Sequence, residues 1–420
     1  SDKYFVNISR MLQTLSWRGY IFAGEFPRRL PGAAGDIPTG DLRVEMQWFT
    51  RRPGRTLVVG VDKALAMLRH AAGEWQGEHF AETWDQLEVW AVHDGAVVES
   101  SGDPAVVQPV LRVRGRYRDF AQLETPTLGV LTRGSRVATN VYDTLVAAGG
   151  KPVLFFPARF DLHEAQAADG YAYNLAVQRF NLDHGQRLGA FVSTDAQGDW
   201  WGGSGGGTVA HAAIACFLGD TAEAMATFAA TLPTAIPRIA LVDFNNDSVS
   251  DSLRTVERMF RCYRERLEAG DTDGAAGYQL YGVRLDTSRS IRDVNVPPLG
   301  DPELDLGVTP RLVFVVRQAL DRAWEAWDLL ADWRSRAAEY CRAVRIVVSG
   351  GFTAERIRQF EALHVPVDIY AVGSALFANA GPSVTDFTAD VVAVEVAGEW
   401  IPMAKVGRQA GENAELERVT

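Results

Sequence analysis

Gly205-Gly-Gly-Thr-Val-Ala-His211 runs from a glycine-rich junction into an apolar helical stretch. It sets one imidazole, the side chain that titrates nearest neutrality, in the first turn of a helix. Two carboxylates end apolar strand-like segments: Asp243 in Leu241-Val-Asp-Phe-Asn-Asn and Asp286 in Val283-Arg284-Leu285-Asp286-Thr287. Alternate residues of a strand share a face, so Arg284 and Asp286 point the same way. Carboxylates so placed can accept ribose hydroxyl protons, hold magnesium through water or orient a histidine. The plainer reading of Arg284 and Asp286 is an ion pair buried under the sheet.

Three further groups suit anions. In Phe155-Phe-Pro-Ala-Arg159-Phe-Asp161 a guanidinium follows a strand, where it can grip a carboxylate or phosphate with paired hydrogen bonds; an ion pair with Asp161 is the alternative. Ser349-Gly350-Gly351-Phe-Thr353 and Gly373-Ser374 end successive strands with small residues that open helices, Thr353 serving as N-cap. Such ends let backbone amides approach a phosphate closely. The run from Gly202 to Thr208 lacks the Gly-Lys-Ser/Thr ending of a P-loop and the acidic partner of a dinucleotide site. Its expected use is to present N–H groups and Thr208 to an anion beside His211. A packed, hydrogen-bonded histidine is the plainer reading of His211.

Positioning these groups falls to strands read at Val153–Phe156, Ala190–Ser193, Ile239–Phe244, Leu280–Leu285, Val344–Val348 and Ile369–Val372. Helical patterns separate them, among them Ala165–Arg179, Val209–Leu218 continuing to Thr231, Val249–Leu267, Arg311–Ala331 and Ala354–Leu363. Regular alternation implies an α/β fold: an irregular (β/α) barrel of about six to seven parallel strands, with its chemistry at the C-terminal strand ends. Before residue 120 the pattern is β-rich, with helical patches at Val6–Leu15 and Lys63–His70, and His93-Asp-Gly-Ala96 reads as a hairpin turn. The expected domains are residues 1–120, α+β with a β-sandwich-like part; 121–385, the barrel; and 386–420, a β tail returning to the N-terminal domain.

The 420 residues exceed one average domain, and 47% apolar with 23% charged residues is ordinary for a globular chain. A net charge of −11 argues against a nucleic-acid binder, which needs a basic face. No run approaches the ~18 apolar residues of a membrane span. Residues 1–4 lack the regions of a secretory signal, so a cytoplasmic enzyme is expected. Cys216, Cys262 and Cys341 make neither a disulfide framework nor a zinc pattern; Cys216 and Cys341 read as core residues.

In their order these segments resemble nicotinate phosphoribosyltransferase, of the type II phosphoribosyltransferases. The matching pieces are Gly207-Thr-Val-Ala-His211, Tyr281-Gly-Val-Arg-Leu-Asp286, Val347-Val-Ser-Gly-Gly351, Val367-Asp-Ile-Tyr-Ala-Val-Gly-Ser374, Leu123-Glu-Thr-Pro-Thr-Leu-Gly-Val130 and Ser1-Asp-Lys-Tyr-Phe5. Val92-His-Asp-Gly95 and Arg112-Val-Arg-Gly115 resemble its N-terminal domain. The resemblance implies transfer of phosphoribosyl from phosphoribosyl pyrophosphate to nicotinate, giving nicotinate mononucleotide and pyrophosphate for NAD synthesis. It further implies magnesium with the pyrophosphate and ATP hydrolysis through phosphorylation of His211. A homodimer would place Tyr4 on the pyridine ring across the interface. Arg159 and Arg284 would hold the acceptor carboxylate or phosphoribosyl oxygens, and Asp286 with Asp243 the ribose hydroxyls or metal-bound water. Ser349, Gly350, Gly351, Gly373 and Ser374 would hold the 5′-phosphate. Phe160 stands where the family commonly has a second arginine, and Asp286-Thr-Ser-Arg289 where it has Asp-Ser-Gly-Asp. Competing readings are a pyridine phosphoribosyltransferase acting on nicotinamide or quinolinate, a catalytically silent nucleotide-binding barrel, and a barrel lyase, the last weakened by the lack of a strand-end lysine.

Overall fold

Valine, methionine, tryptophan and phenylalanine dominate Arg43–Thr50, the strand (β1) on which the first sheet is built. The computed structural model describes residues 1–25, 36–103, 105–207 and 209–420. It divides into one unit of Ser1–Tyr142 with Ala378–Thr420 and a second of Asp143–Phe377. The sequence pattern changes at 120 and 385, whereas the units part at 142 and 377.

In the first unit, helix α1 (Lys3–Trp17) and helix α2 (Val61–Ala71) accompany β1, β2 (Glu88–Ala91) and β3 (Leu111–Arg116). Both faces of β1 are covered. Val44, Met46 and Trp48 enter an apolar core, while Glu45 on the other face lies 2.6 Å from Arg114. The Trp48 indole N–H donates to Thr127, on helix α3 (Glu124–Ala147), at 3.1 Å. The Asp94-Gly95 turn is present, but no hairpin: β2 pairs with β3, while Val97–Ser100 pairs with Gly54–Leu57 in another sheet. Asp94 instead takes the N–H groups of Gly60 and Val61 that open α2.

The second unit holds a parallel sheet of β4 (Val153–Phe155), β5 (Ile239–Leu241), β6 (Gly282–Leu285), β7 (Arg345–Val348) and β8 (Ile369–Val372), in the order β4-β8-β7-β6-β5. Single parallel bridges, Phe155 to Val192 and Val192 to Gly205, extend it beyond β4. The strand expected over Ala190–Ser193 thus shrinks to Val192, and five strands with two bridge positions stand where six to seven strands were expected. Inward residues Leu154, Ile239, Val347, Ile369 and Ala371 form the core, with Phe156, Phe191 and Tyr281 packed on it.

The helix expected to run from Val209 to Thr231 is two: α4 (His211–Cys216) and α5 (Thr221–Thr231). Leu218 and Gly219, at φ +55° and +87°, break it, and Asp220 caps the second piece. On the short α4 Cys216 is exposed, so only Cys341 is a core cysteine as expected. Helix α6 (Ala354–Ala362) follows β7, with Thr353 Oγ1 accepting from the Arg356 N–H.

The C-terminal segment belongs to the first unit. β9 (Phe387–Val396) pairs antiparallel with β1, β10 (Glu399–Pro402) with β9, and β11 (Glu417–Arg418) with β2, completing a six-stranded sheet β10-β9-β1-β3-β2-β11. Among the described residues no helix is long and apolar enough to cross a membrane.

Candidate active site

Register sets the site. Arg284 on β6 lies level with Leu241 on β5 and Val347 on β7, and Val347 is level with Ile369 on β8. Paired residues of a parallel sheet point to one side, so two residues further on Asp286 and Ser349 emerge together. Ser349 Oγ donates to Asp286 Oδ1 at 2.7 Å. Across the sheet Ala371 is level with Leu154, which brings Gly373 beside Phe156. The chemistry-bearing residues thus continue the inward faces whose earlier members are the apolar core.

The resulting cleft has a volume of about 450 Å³. Arg159, His211, Arg284, Asp286, Ser349, Gly350, Gly351, Gly373 and Ser374 all line it. His211 opens α4, and its Nε2 lies 3.1 Å from each oxygen of Asp243. Asp243 is held two residues beyond β5 in a turn closed by the Asn246 N–H. Asn245 and Asn246 anchor that turn to Gly219, Asp251 and the Arg292 carbonyl. Burial pushes the Asp243 carboxyl above the usual range against the pull of His211, and nearby Asp286 adds to the rise. Burial holds Arg284 below its usual value, opposed by Asp286 and Asp243. Among the described residues no ion pair links Arg159 to Asp161, and the Arg159 guanidinium lies 5.4 Å from the Phe160 ring centre.

The strand-end glycines have amides to offer. Gly350 and Gly351 adopt φ +89° and +73°, the left-handed region open to glycine. Within the described residues the N–H groups of Gly350, Gly351 and Gly373 donate no hydrogen bond. The run before His211 differs and corrects the sequence expectation. Gly205 N–H is spent on Asp195 Oδ1 and Gly206 N–H on the Val192 carbonyl, each at 2.8 Å. A Cβ on Gly205 would stand 2.7 Å from the Thr194 carbonyl carbon, and one on Gly206 would strike the Phe191 ring. Close packing explains those two glycines. Thr208 lies outside the described residues.

Tyr4 is in the first unit, on α1, with 57% of its surface exposed and its ring centre 4.3 Å from that of Phe5. Sequence reasoning missed Phe156, Ser193, Thr194 and Phe352, which also line the cleft. Parity with Leu154 marks Phe156, and Ser193 and Thr194 directly follow Val192. A second groove of about 870 Å³ in the first unit is lined by Arg10, His70, Trp75 and Arg118, among others, but Arg118 is already paired with Glu74 and Asp41. No group of three or more histidine, cysteine, aspartate or glutamate residues gathers as a metal site among the described residues.

Comparison with known proteins agrees with this architecture. Residues 36–135 match the quinolinate phosphoribosyl transferase N-terminal domain family. The nicotinate-nucleotide pyrophosphorylase of Pyrococcus furiosus superposes with TM-score 0.62 at 23% identity, covering 100% of this chain and 82% of its own. Human nicotinic acid phosphoribosyltransferase superposes with TM-score 0.56 at 15% identity, covering 94% of this chain and 74% of its own. Residues 36–135 are therefore similar to the quinolinate phosphoribosyl transferase N-terminal domain, and the chain shares the fold of these two solved enzymes.

Proposed function

We propose that the cleft transfers phosphoribosyl from phosphoribosyl pyrophosphate to a pyridine carboxylate, nicotinate foremost, yielding nicotinate mononucleotide and pyrophosphate for NAD synthesis. The observation that carries this reading is the shared level of Arg284–Asp286, Ser349–Gly351 and Gly373 on neighbouring parallel strands, facing one volume with His211. In the reaction the pyridine nitrogen lone pair bonds to ribose C1 while the C1–O bond to diphosphate breaks, and pyrophosphate leaves with the electron pair of that C1–O bond. Positive charge grows on the ribose, so alignment and fixed negative charge are what catalysis needs. Asp286 and Asp243 supply that charge and accept from ribose hydroxyls. Arg159 and Arg284 hold the acceptor carboxylate or phosphoryl oxygens. The free amides of Gly350, Gly351 and Gly373, with Ser349 and Ser374, take the 5′-phosphate. Thr208, three residues before His211 in the sequence, completes the proposed set.

Asp243 is engaged by His211 and Asp286 by Ser349, a donor set that suits magnesium bringing most of its own water and phosphate ligands. Asp286 would help to hold magnesium through its water ligands, and the ion would supply charge neutralisation to the diphosphate. For ATP, a carboxylate at Nε2 favours the tautomer protonated at that nitrogen, leaving the lone pair on Nδ1. That lone pair attacks the γ-phosphorus, the P–O bond to ADP breaks, and Asp243 holds the phosphoimidazolium charge through Nε2–H. The working form in this reading is a homodimer, with Tyr4 of the partner subunit stacked on the pyridine.

Quinolinate is the second reading, favoured by the family match over residues 36–135. Its extra carboxylate asks for another cation, and among the described lining residues the only arginines are Arg159 and Arg284. The test is product formation from phosphoribosyl pyrophosphate and magnesium with nicotinate, nicotinamide or quinolinate, each with and without ATP. Nicotinate mononucleotide made fastest from nicotinate plus ATP is the expected result; no nucleotide from any pyridine would overturn the assignment.

A further inference from the structure

At the Ser349–Gly351 turn two guanidinium groups stand together without a carboxylate partner among the described residues. Arg356, half-buried in the first turn of α6, donates to the Gly350 carbonyl at 3.2 Å and the Val308 carbonyl at 2.7 Å. Its guanidinium also lies over the Phe352 ring, 4.5 Å from the centre. Arg289 is exposed, donates to the Gly351 carbonyl, and lies so close that a Cβ on Gly351 would stand 2.9 Å from its Nε. Neither residue forms an ion pair among the described residues. Burial first and the Arg289 charge second bring Arg356 down to about 10, with only Glu303 acting the other way.

Two cations side by side repel, and burial of one magnifies the cost. Both also hold carbonyl oxygens of the turn whose N–H groups are unspent. The turn is thereby fixed with its acceptors occupied and its donors available, beside an excess of positive charge. Such an arrangement is completed by an anion.

We infer that Arg289 contacts a phosphoryl group of the phosphoribosyl substrate and that Arg356 is its positioning partner, the two completing the anion subsite at Gly350–Gly351. The inference rests on the phosphoribosyl reading above and adds a residue to it. Arg289 spends one donor on Gly351 and can turn the others to a phosphate, whereas Arg356 keeps the turn in shape through its two carbonyl bonds and the Phe352 stack.

The test is calorimetric titration of ribose 5-phosphate into wild type, R289A and R289K, with steady-state rates for phosphoribosyl pyrophosphate and nicotinate alongside. Because Arg289 is exposed, R289A is expected to fold; R356A serves only as a comparison. R289A should bind ribose 5-phosphate about 30-fold more weakly, the size of one charge-assisted hydrogen bond, and R289K about fivefold more weakly. The KM for nicotinate should stay within about twofold of wild type, since a phosphate contact does not touch the acceptor. Coincident titrations for R289A and wild type would overturn the inference, as would a wild type that takes up no ribose 5-phosphate. Wild-type turnover of a pyridine with unaltered R289A binding sinks this inference alone. Arg289-dependent binding without turnover of any pyridine sinks the functional reading and leaves the subsite standing.

Discussion

His211 and Asp243 meet side chain to side chain, Nε2 lying 3.1 Å from both carboxylate oxygens, although they are 32 residues apart in the chain. One opens a helix and the other closes a strand-end turn, so the pair exists only once α4 and β5 are both in place. Its asymmetry is informative: the His211 side chain keeps 45% of its surface in solvent, while Asp243 keeps 8%. In the proposed function the buried partner orients and the exposed one reacts.

D243N should therefore separate two activities. Loss of the carboxylate removes the charge that steadies a phosphorylated His211, and ATP-stimulated turnover should fall about 100-fold. Basal transfer without ATP should fall by less, since Asp286 remains to hold the ribose hydroxyls and face the developing charge. Initial rates with and without ATP, together with capture of labelled phosphate on the protein, measure both.

The same substitution should raise stability. The folded-state pKa of Asp243 lies above its unfolded value. Its contribution is therefore present in full below the unfolded value and is lost as pH rises through the folded one. Where it is ionised the carboxylate is a burden that asparagine lacks, so D243N should melt no lower than wild type towards high pH, and the difference should vanish in acid.

A second pH dependence belongs to the first unit. Burial, then Asp390 and Asp2, raise Glu124 at the start of α3 to about 8. By the same sign, stability from the neutral acid is complete in the acid range and drains away as pH climbs towards 8. E124Q should flatten that decline and be more stable than wild type at pH 8 by on the order of 1–2 kcal/mol, allowing for solvent screening. Denaturant midpoints at pH 5 and pH 8 give the comparison.

Neighbouring glycines before His211 should respond differently. At Gly205 a methyl would press on the Thr194 backbone, which cannot move aside, whereas nothing lies within 4 Å of a Cβ on Gly207. G205A should lose about 2 kcal/mol of stability, an overpacking cost, and G207A almost none. Thermal melts decide between packing and an anion cradle, since a cradle would make both variants fold normally and bind phosphate poorly.

At the Gly373-Ser374 turn, proposed to take phosphate, a Cβ on Gly373 would lie 2.7 Å from the Phe160 ring. G373A should weaken phosphoribosyl pyrophosphate binding, and F160A in the same chain should restore part of it by making room. A double-mutant cycle with coupling above about 0.5 kcal/mol is the expected result.

Much of the site could be read from residue order because strand ends announce themselves: an apolar run followed by Asp286, by Ser349-Gly-Gly or by Gly373-Ser. Parity did the rest for Arg284 with Asp286. What sequence could not give was hydrogen-bond spending. Gly205 and Gly206 read like an anion loop, yet their amides serve Asp195 and Val192, which lie earlier in the chain and have no local signature. The Asp94-Gly95 turn was legible but its strands were not, since pairing partners such as Gly54–Leu57 are set by tertiary contacts. The break at Leu218 and Gly219, by contrast, carries a local signature in Gly219 and the capping Asp220, which the single helix expected over Val209–Thr231 runs through.

The central claim is tested most directly by competition. Wild-type protein, phosphoribosyl pyrophosphate, magnesium and ATP are supplied with equal amounts of ring-deuterated nicotinate and unlabelled quinolinate, and the mass of the nucleotide formed is measured. The account predicts nicotinate mononucleotide carrying the deuterium label as the main product. Nucleotide free of label would assign the cleft to quinolinate, and no nucleotide at all would contradict pyridine phosphoribosyl transfer.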